Sequence, residues 1–294
     1  MIWVKDPFFA RRCTTGAGTV REDCVLRWAI AVARMRAMDL IDTHCHIDVE
    51  EFDPDRELVL AAARAAGVNR MVVPGVKRST WDGLLDLCQR EPGLYPTLGL
   101  HPVYLDHHTA RDLETLREQV RTAPIVAVGE IGLDFFIENP QRERQLELLE
   151  IQLDIAARAA LPVILHVRKA HDQVLAALRK HPVCGGIAHA FNGSLQQAAQ
   201  YIDLGFKLGF GGMLTYERST RLRNLARELP LEALVLETDA PDLTVASHHG
   251  ERNSPAYLPE CLHALAAVHG ADAAVVARQT TTNAVEVLRL GAAP

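Results

Sequence analysis

The chain has 294 residues, of which 48% are hydrophobic and 23% charged, and it carries a formal net charge of −6. This composition excludes a disordered or fibrous chain, and the length suits two small domains or one α/β barrel of about 250 residues. The acidic balance offers no global attraction to nucleic acid or membranes, and no apolar run approaches the ~20 residues that span a bilayer.

The first 37 residues stand apart: seven Lys and Arg against three Asp and Glu give them +4, which leaves −10 for the rest. Their apolar stretch WAIAVA (28–33) is too short for a secretory h-region. Residues 1–37 therefore read as a poorly ordered N-terminal extension, with the folded domain occupying 38–294. From there one pattern repeats, a short apolar run followed by a helical segment. The runs are DLIDTH (39–44), VNRMVVPG (68–75), LYPTLGLH (94–101), IVAVGEIG (125–132), PVILHV (162–167), GGIAHA (185–190), FKLGFGG (206–212) and ALVLETDA (233–240). Helical spacing marks segments such as 53–67, with Pro54 near its start and Gly67 as its stop, and 140–160. Near-continuous apolar runs indicate strands buried on both faces, hence parallel and covered by helices. Eight such units predict a single-domain (β/α)8 TIM barrel. An open doubly wound sheet is the alternative, but no glycine-rich phosphate loop follows the first run.

The six cysteines are scattered without a CxxC pair and read as reduced thiols of a cytoplasmic protein. In the first run, His44 and His46 flank Cys45. Alternation in a strand points both imidazoles one way, about 6.5–7 Å apart at Cα, with Cys45 on the other face. Two histidines on that pitch can reach one ion, although HxH alone is a weak signal. In a barrel, chemistry gathers at the C-terminal strand ends. Strand four is expected to carry Glu130 at its end, strand five His166, strand six His189 and strand eight Asp239. Five of the eight strands thus end in metal-competent side chains. His101, Asp134 and Arg168 follow strands three, four and five, so they too face the mouth. Arg168 can hold a phosphate bidentately and His101 can donate to one; a rim ion pair between Arg168 and Asp134 is the plainer alternative. Asp42 shares parity with His44 and is expected to point inward, orienting a ligand histidine. Lys169, His171, His181, His263 and His269 read as solvated, and His248 and His249 lie in a loop that could form part of a lid.

The stretches IDTHCHID, GLHP (99–102), GEIGLDFF (129–136), PVILHVRKAHD (162–172), AHAFNGS (188–194) and LETDAPDL (236–243) resemble the TatD-type deoxyribonucleases, metal-dependent hydrolases of the amidohydrolase superfamily. The likeness covers essentially all of 38–294, and GEIGLD, SLQQA and LTYERST are closer to an uncharacterised hydrolase branch than to the best-studied nucleases. It implies two divalent cations: His44, His46 and Asp239 at the first, His166 and His189 at the second, and Glu130 bridging them. Four imidazoles favour Zn, Mn or Co over Mg, yet Mg often supports nucleases of this family. Asp239 would orient or deprotonate the nucleophile, a metal-activated hydroxide. The implied reaction is phosphodiester hydrolysis of DNA or RNA, exonucleolytic on single-stranded or frayed ends. Two cations against two carboxylates leave a positive cleft that attracts phosphate, but the acidic surface argues against gripping a long duplex. The alternative keeps the site and changes the bond to an amide or ester, as in a deacylase of mischarged tRNA. No membrane and no obligate protein partner is implied.

Overall fold

The apolar runs do become strands, because β-branched and leucine-rich segments bounded by glycine, proline and polar turns have both faces to bury. The structure, a computed structural model, describes residues 39–291; the expected extension at 1–37 lies outside the described residues. The strands are β1 (Leu40–Asp42), β2 (Val68–Gly75), β3 (Leu94–Leu98), β4 (Ala127–Asp134), β5 (Val163–Arg168), β6 (Gly186–Ala188), β7 (Phe206–Phe210) and β8 (Leu234–Leu236). Helices follow in alternation: α1 (Arg56–Ala65), α2 (Trp81–Arg90), α3 (Ala110–Thr122), α4 (Arg142–Ala159), α5 (His171–Lys180), α6 (Leu195–Asp203), α7 (Thr220–Glu228), α8 (Leu258–His269) and α9 (Ala273–Leu288).

All neighbouring strands pair in parallel and in chain order from β1 to β8. The last seam is closed by backbone bonds just past the strands: Thr43 N donates to Leu236 O at 3.0 Å, Asp239 N to His44 O at 2.8 Å and His46 N to Ala240 O at 2.8 Å. The barrel therefore holds together at its seam through the same residues that carry the HxH and Asp239 motifs.

One end of the barrel is apolar. Ile41, Val72, Ala127, Ile164, Ile187 and Val235, each from a different strand, pack with Ala284 and Leu288 of α9 and with Leu290. Helix α9 lies against β1, β6, β7 and β8, so it stoppers this end. Each large side chain so buried contributes about 1.5–3 kcal/mol. Polar groups also bind the helix–sheet seam. Buried Gln152 of α4 gives its amide to both backbone groups of Leu100 (2.8 and 3.1 Å), and Gln145, two turns earlier, does the same for Asp134 (2.8 and 3.0 Å). The two amides satisfy strand ends that have no ladder partner there, which is why α4 can tolerate buried glutamines.

Several boundaries differ from the sequence reading. Helix α1 begins at Arg56, because Asp53–Asp55 form turns, and the chain leaves it through Gly67 at φ +89°. Strands β6 and β8 are only three residues long, so His189 and Asp239 sit on irregular backbone just beyond them. Glu130 lies inside β4, at an irregularity in its pairing with β5 between Val128 and Ile131. Such a bulge re-aims a side chain within a strand, and here it delivers Glu130 to the barrel interior.

Candidate metal centre and adjoining cleft

Seven of the sequence-selected residues converge at the open end. Glu130, 2% exposed, stands at the middle. Its Oε2 lies 3.2 Å from His44 Nε2 and 3.7 Å from His46 Nε2. Its Oε1 lies 3.1 Å from His166 Nδ1, 3.3 Å from His101 Nε2 and 3.8 Å from His189 Nε2. The two carboxylate oxygens thus face two different sets of imidazole nitrogens. Asp239 adds Oδ1 at 3.7 Å from His44 Nε2 and 3.8 Å from His46 Nε2, and Oδ2 at 4.0 Å from His189 Nε2. Asp239 reaches this place from a left-handed backbone conformation, φ +59°, in the loop that closes the barrel seam.

The donor atoms form three compact groups: His44, His46 and Asp239; His44, Glu130 and His189; and His101, Glu130 and His166. The first matches the expected triad. His101, expected to contact substrate, has its ring beside Glu130 and His166. His44 Nε2 and His46 Nε2 stand 3.2 Å apart, close enough for both nitrogens to reach one cation. Nitrogen and carboxylate donors converging on a buried point therefore fit divalent metal ions.

Burial and the neighbouring charges set the protonation of the group. Burial, aided by His189, holds His44 well below the ordinary imidazole range, and burial takes His101 down to about 4. Burial opposes ionisation of Glu130, but His44, His101 and His166 outweigh it and hold the carboxyl well below its usual range. Burial pushes Asp239 up to about 6. For His189 burial also works against charge, yet Glu237, Asp239 and Glu130 outweigh it and push its pKa up to about 10.

Glu237 is the functional residue the sequence reading missed. It is buried, with Oε1 at 3.2 Å from His189 Nδ1 and accepting from Ala190 N at 2.6 Å. Gly209 makes room for it: a Cβ there would lie 2.1 Å from Glu237 Oε2. The signal available was the pairing of LGFGG on one strand with LETD on the next. A carboxylate on the far nitrogen fixes which face His189 offers to a metal.

Asp42 corrects its expectation. It is fully buried, but its carboxylate takes Thr238 N (2.9 Å), Thr238 Oγ1 and the His44 backbone N (3.2 Å), and touches no imidazole. β1 ends at this residue, so strict alternation no longer applies. Burial pushes its pKa up to about 7 against those hydrogen bonds. His171 is likewise not solvated: it is buried between Tyr201 Oη and Asn192 Oδ1, each at 3.3 Å. His248 stacks on Tyr257 and His249 bonds Tyr216 Oη at 3.2 Å, both outside the three donor groups.

Arg168 and Asp134 meet at 3.5 Å. Asp134 is buried, holds His166 Nε2 at 3.0 Å and accepts from Phe136 N at 2.9 Å, so its role is to seat His166. Arg168, with a side chain 47% exposed, lies over the Phe136 ring at 4.5 Å. A cleft of about 750 Å³ opens beside the metal centre, running from His166, His189 and Asp239 to the loops after β7 and β8.

A family model described as TatD related DNase matches residues 41–289. The chain belongs to the TatD family. The uncharacterized metal-dependent hydrolase YjjV of Escherichia coli K12 is 45% identical over 218 residues, 73% of this chain and 84% of that one. The 3'-5' ssDNA/RNA exonuclease TatD of Erwinia billingiae is 31% identical over 261 residues, 86% of this chain and 100% of that one. The crystal structure of Escherichia coli YjjV aligns with a TM-score of 0.83 at 39% identity, covering 86% of this chain and 99% of that one. As a TatD-family member the chain is a metal-dependent hydrolase with a TIM-barrel fold. Among the described residues no helix is long and apolar enough to cross a membrane.

Proposed function

We propose that this TatD-family barrel hydrolyses phosphodiester bonds of DNA or RNA, working exonucleolytically on single-stranded or frayed ends, with two divalent cations that Glu130 and the surrounding histidines and Asp239 would hold. The observation that carries this reading is the division of Glu130: Oε2 faces the His44–His46 pair while Oε1 faces His101, His166 and His189. His44, His46 and Asp239 would hold one ion, and His166 and His189 the other. Ions held there would supply Lewis acidity to the phosphoryl oxygens and ease ionisation of water. The residues of the chain do the rest. Asp239, with Oδ1 at 3.7 Å from His44 Nε2 and Oδ2 at 4.0 Å from His189 Nε2, is placed to take a proton from the attacking water at a carboxylate oxygen. Glu237 holds His189, and Asp134 holds His166, so that the imidazoles cannot swing away from the centre. Arg168 offers its guanidinium to a phosphate oxygen at the mouth.

Relatives named as 3'-5' exonucleases of single-stranded DNA and RNA support the substrate class. The acidic barrel supports short or single-stranded substrates over duplex, because affinity for long duplex comes from many phosphate contacts. The test measures bound metal in the purified protein and follows end-labelled single-stranded, frayed and blunt oligonucleotides alongside a panel of neutral esters. A ladder growing from one end of the single strand is expected, abolished by chelation. Turnover confined to the esters would replace the nuclease reading with ester or amide hydrolysis.

A further inference from the structure

The cleft beside the metal centre is larger than one phosphate requires, and its chemistry changes along its length. At the inner end stand His166, His189, Glu237 and Asp239. Part of its wall is apolar, with Phe191, Phe210 and Leu225 buried in it and Met213 and Leu243 exposed. Arg218 and Arg221, both exposed, line the cleft as well and are assigned no part above. Each is seated by the protein. The Arg218 guanidinium lies over the Tyr216 ring at 5.2 Å, and Tyr216 Oη donates to Thr244 O at 3.1 Å in the loop after β8. Arg221 donates to Asn192 O at 3.4 Å, in the loop after β6. Asn192 is three residues past His189, so the chain between them spans at most ~11 Å. Among the described residues neither guanidinium pairs with a carboxylate, whereas Arg168 and Arg252 do. Asp242 also lines the cleft and is exposed.

A cleft lined by metal-competent side chains, apolar side chains and two guanidinium groups has the chemistry to take one nucleotide unit: phosphate, base, next phosphate. Pockets of 300–1,000 Å³ accommodate ligands of that size, and base faces stack on apolar and aromatic walls without regard to sequence. We propose that this cleft is a subsite for the nucleotide adjoining the scissile bond, with its base against the Phe210–Met213 wall and its second phosphate held by Arg218 and Arg221. The proposal rests on the phosphodiester reading and makes it narrower: the preferred substrate carries a second phosphate one nucleotide from the bond that is cut.

The test separates the two readings by measuring binding as well as turnover. The probe is a dinucleotide whose single linkage is a methylphosphonate, which is uncharged and not hydrolysed, prepared without a terminal phosphate and with one at its 5' or 3' end. On the metal-loaded protein, one of the phosphorylated forms is expected to bind about ten-fold more tightly, the size of a charge-assisted contact. Its affinity is expected to fall with salt more steeply, by about 0.7 in the log–log slope for one further phosphate neutralised. The double substitution Arg218→Ala with Arg221→Ala is expected to erase both increments. The conservative pair Arg218→Lys with Arg221→Lys is expected to restore the salt slope. If neither terminal phosphate adds affinity, or if the increment survives in the alanine variant, the subsite is overturned. If the increment is present and arginine-dependent in a protein that cleaves no phosphodiester, the subsite stands as a nucleotide-binding site and the hydrolytic reading falls.

Discussion

The two ends of this barrel are built by the same strands and differ by one step along each. On β5, Ile164 belongs to the apolar stopper and His166 to the metal centre. On β6 and the residue after it the corresponding pair is Ile187 and His189, and on β8 and the residue after it Val235 and Glu237. Positions i and i+2 face the same way about 6.5–7 Å apart, so the interior turns from hydrocarbon to imidazole and carboxylate within a single alternation. The apolar end supplies burial against α9. The polar end confines ionisable groups that would be costly there without partners or a cation. One end can therefore be changed largely without the other, and substitutions at the two ends are expected to fail in different ways.

The largest effect is expected at the polar end. Glu130→Gln keeps the shape of the side chain but removes the charge that faces both histidine sets. Metal content measured on the purified variant is expected to fall, and turnover on every substrate to drop by about a thousand-fold or more, as for loss of a principal electrostatic stabiliser. Two retained ions with near-normal turnover would show that Glu130 only braces the histidines. At the apolar end, Ile164→Ala leaves a cavity beneath the site and is expected to cost about 2–5 kcal/mol in chemical denaturation. Its metal stoichiometry is expected to stay that of the parent protein. Loss of metal there would mean that the stopper positions the ligands as well as burying surface.

The same contrast explains what could be read from the sequence. Strand positions were legible because both faces are buried, giving runs such as PVILHV and ALVLETDA, and the ring of strand ends then put His44, His46, His166, His189 and Asp239 together. What was not legible depends on backbone that departs from regular alternation. β1 stops at Asp42, which sends that carboxylate to Thr238 rather than to an imidazole. Glu130 is aimed by an irregularity inside β4 rather than by a strand end. His101 joins Glu130 from the start of a 3₁₀ turn, whose entry angle no periodicity encodes. Glu237 was passed over because a glutamate two residues before a ligand aspartate looks like a strand residue until Gly209 is seen opposite it.

Arg168 sharpens the comparison at the rim, where polar groups are half in water. Its pair with Asp134 at 3.5 Å is partly exposed and so contributes little to stability. In the proposed function its part is in binding. Arg168→Ala is expected to raise the KM for phosphodiesters roughly 10- to 150-fold, the range for a hydrogen bond to a charged group, and to leave neutral esters unaffected. Steady-state kinetics on both substrate classes decide this. Equal losses on both would assign the arginine to holding Asp134 and His166 in place.

The smallest effect is expected where the two kinds of environment come closest in the chain, at Cys45 between the two histidines. Its side chain is fully buried, its backbone N donates to Val72 O at 3.1 Å, and burial pushes its thiol well above the ordinary range. A neutral thiol is a poor metal ligand, and Cys45 is absent from all three donor groups. Cys45→Ala removes one sulfur from a packed wall, so a stability loss of about 1 kcal/mol is expected. Metal content and turnover are expected to remain at parental levels, and thiol-blocking reagents to spare the enzyme. His44→Ala, one residue away, is expected to lose both metal and activity. If Cys45→Ala released the metal instead, the division between a buried bystander and the donor side chains on either side of it would not hold in the segment that follows β1.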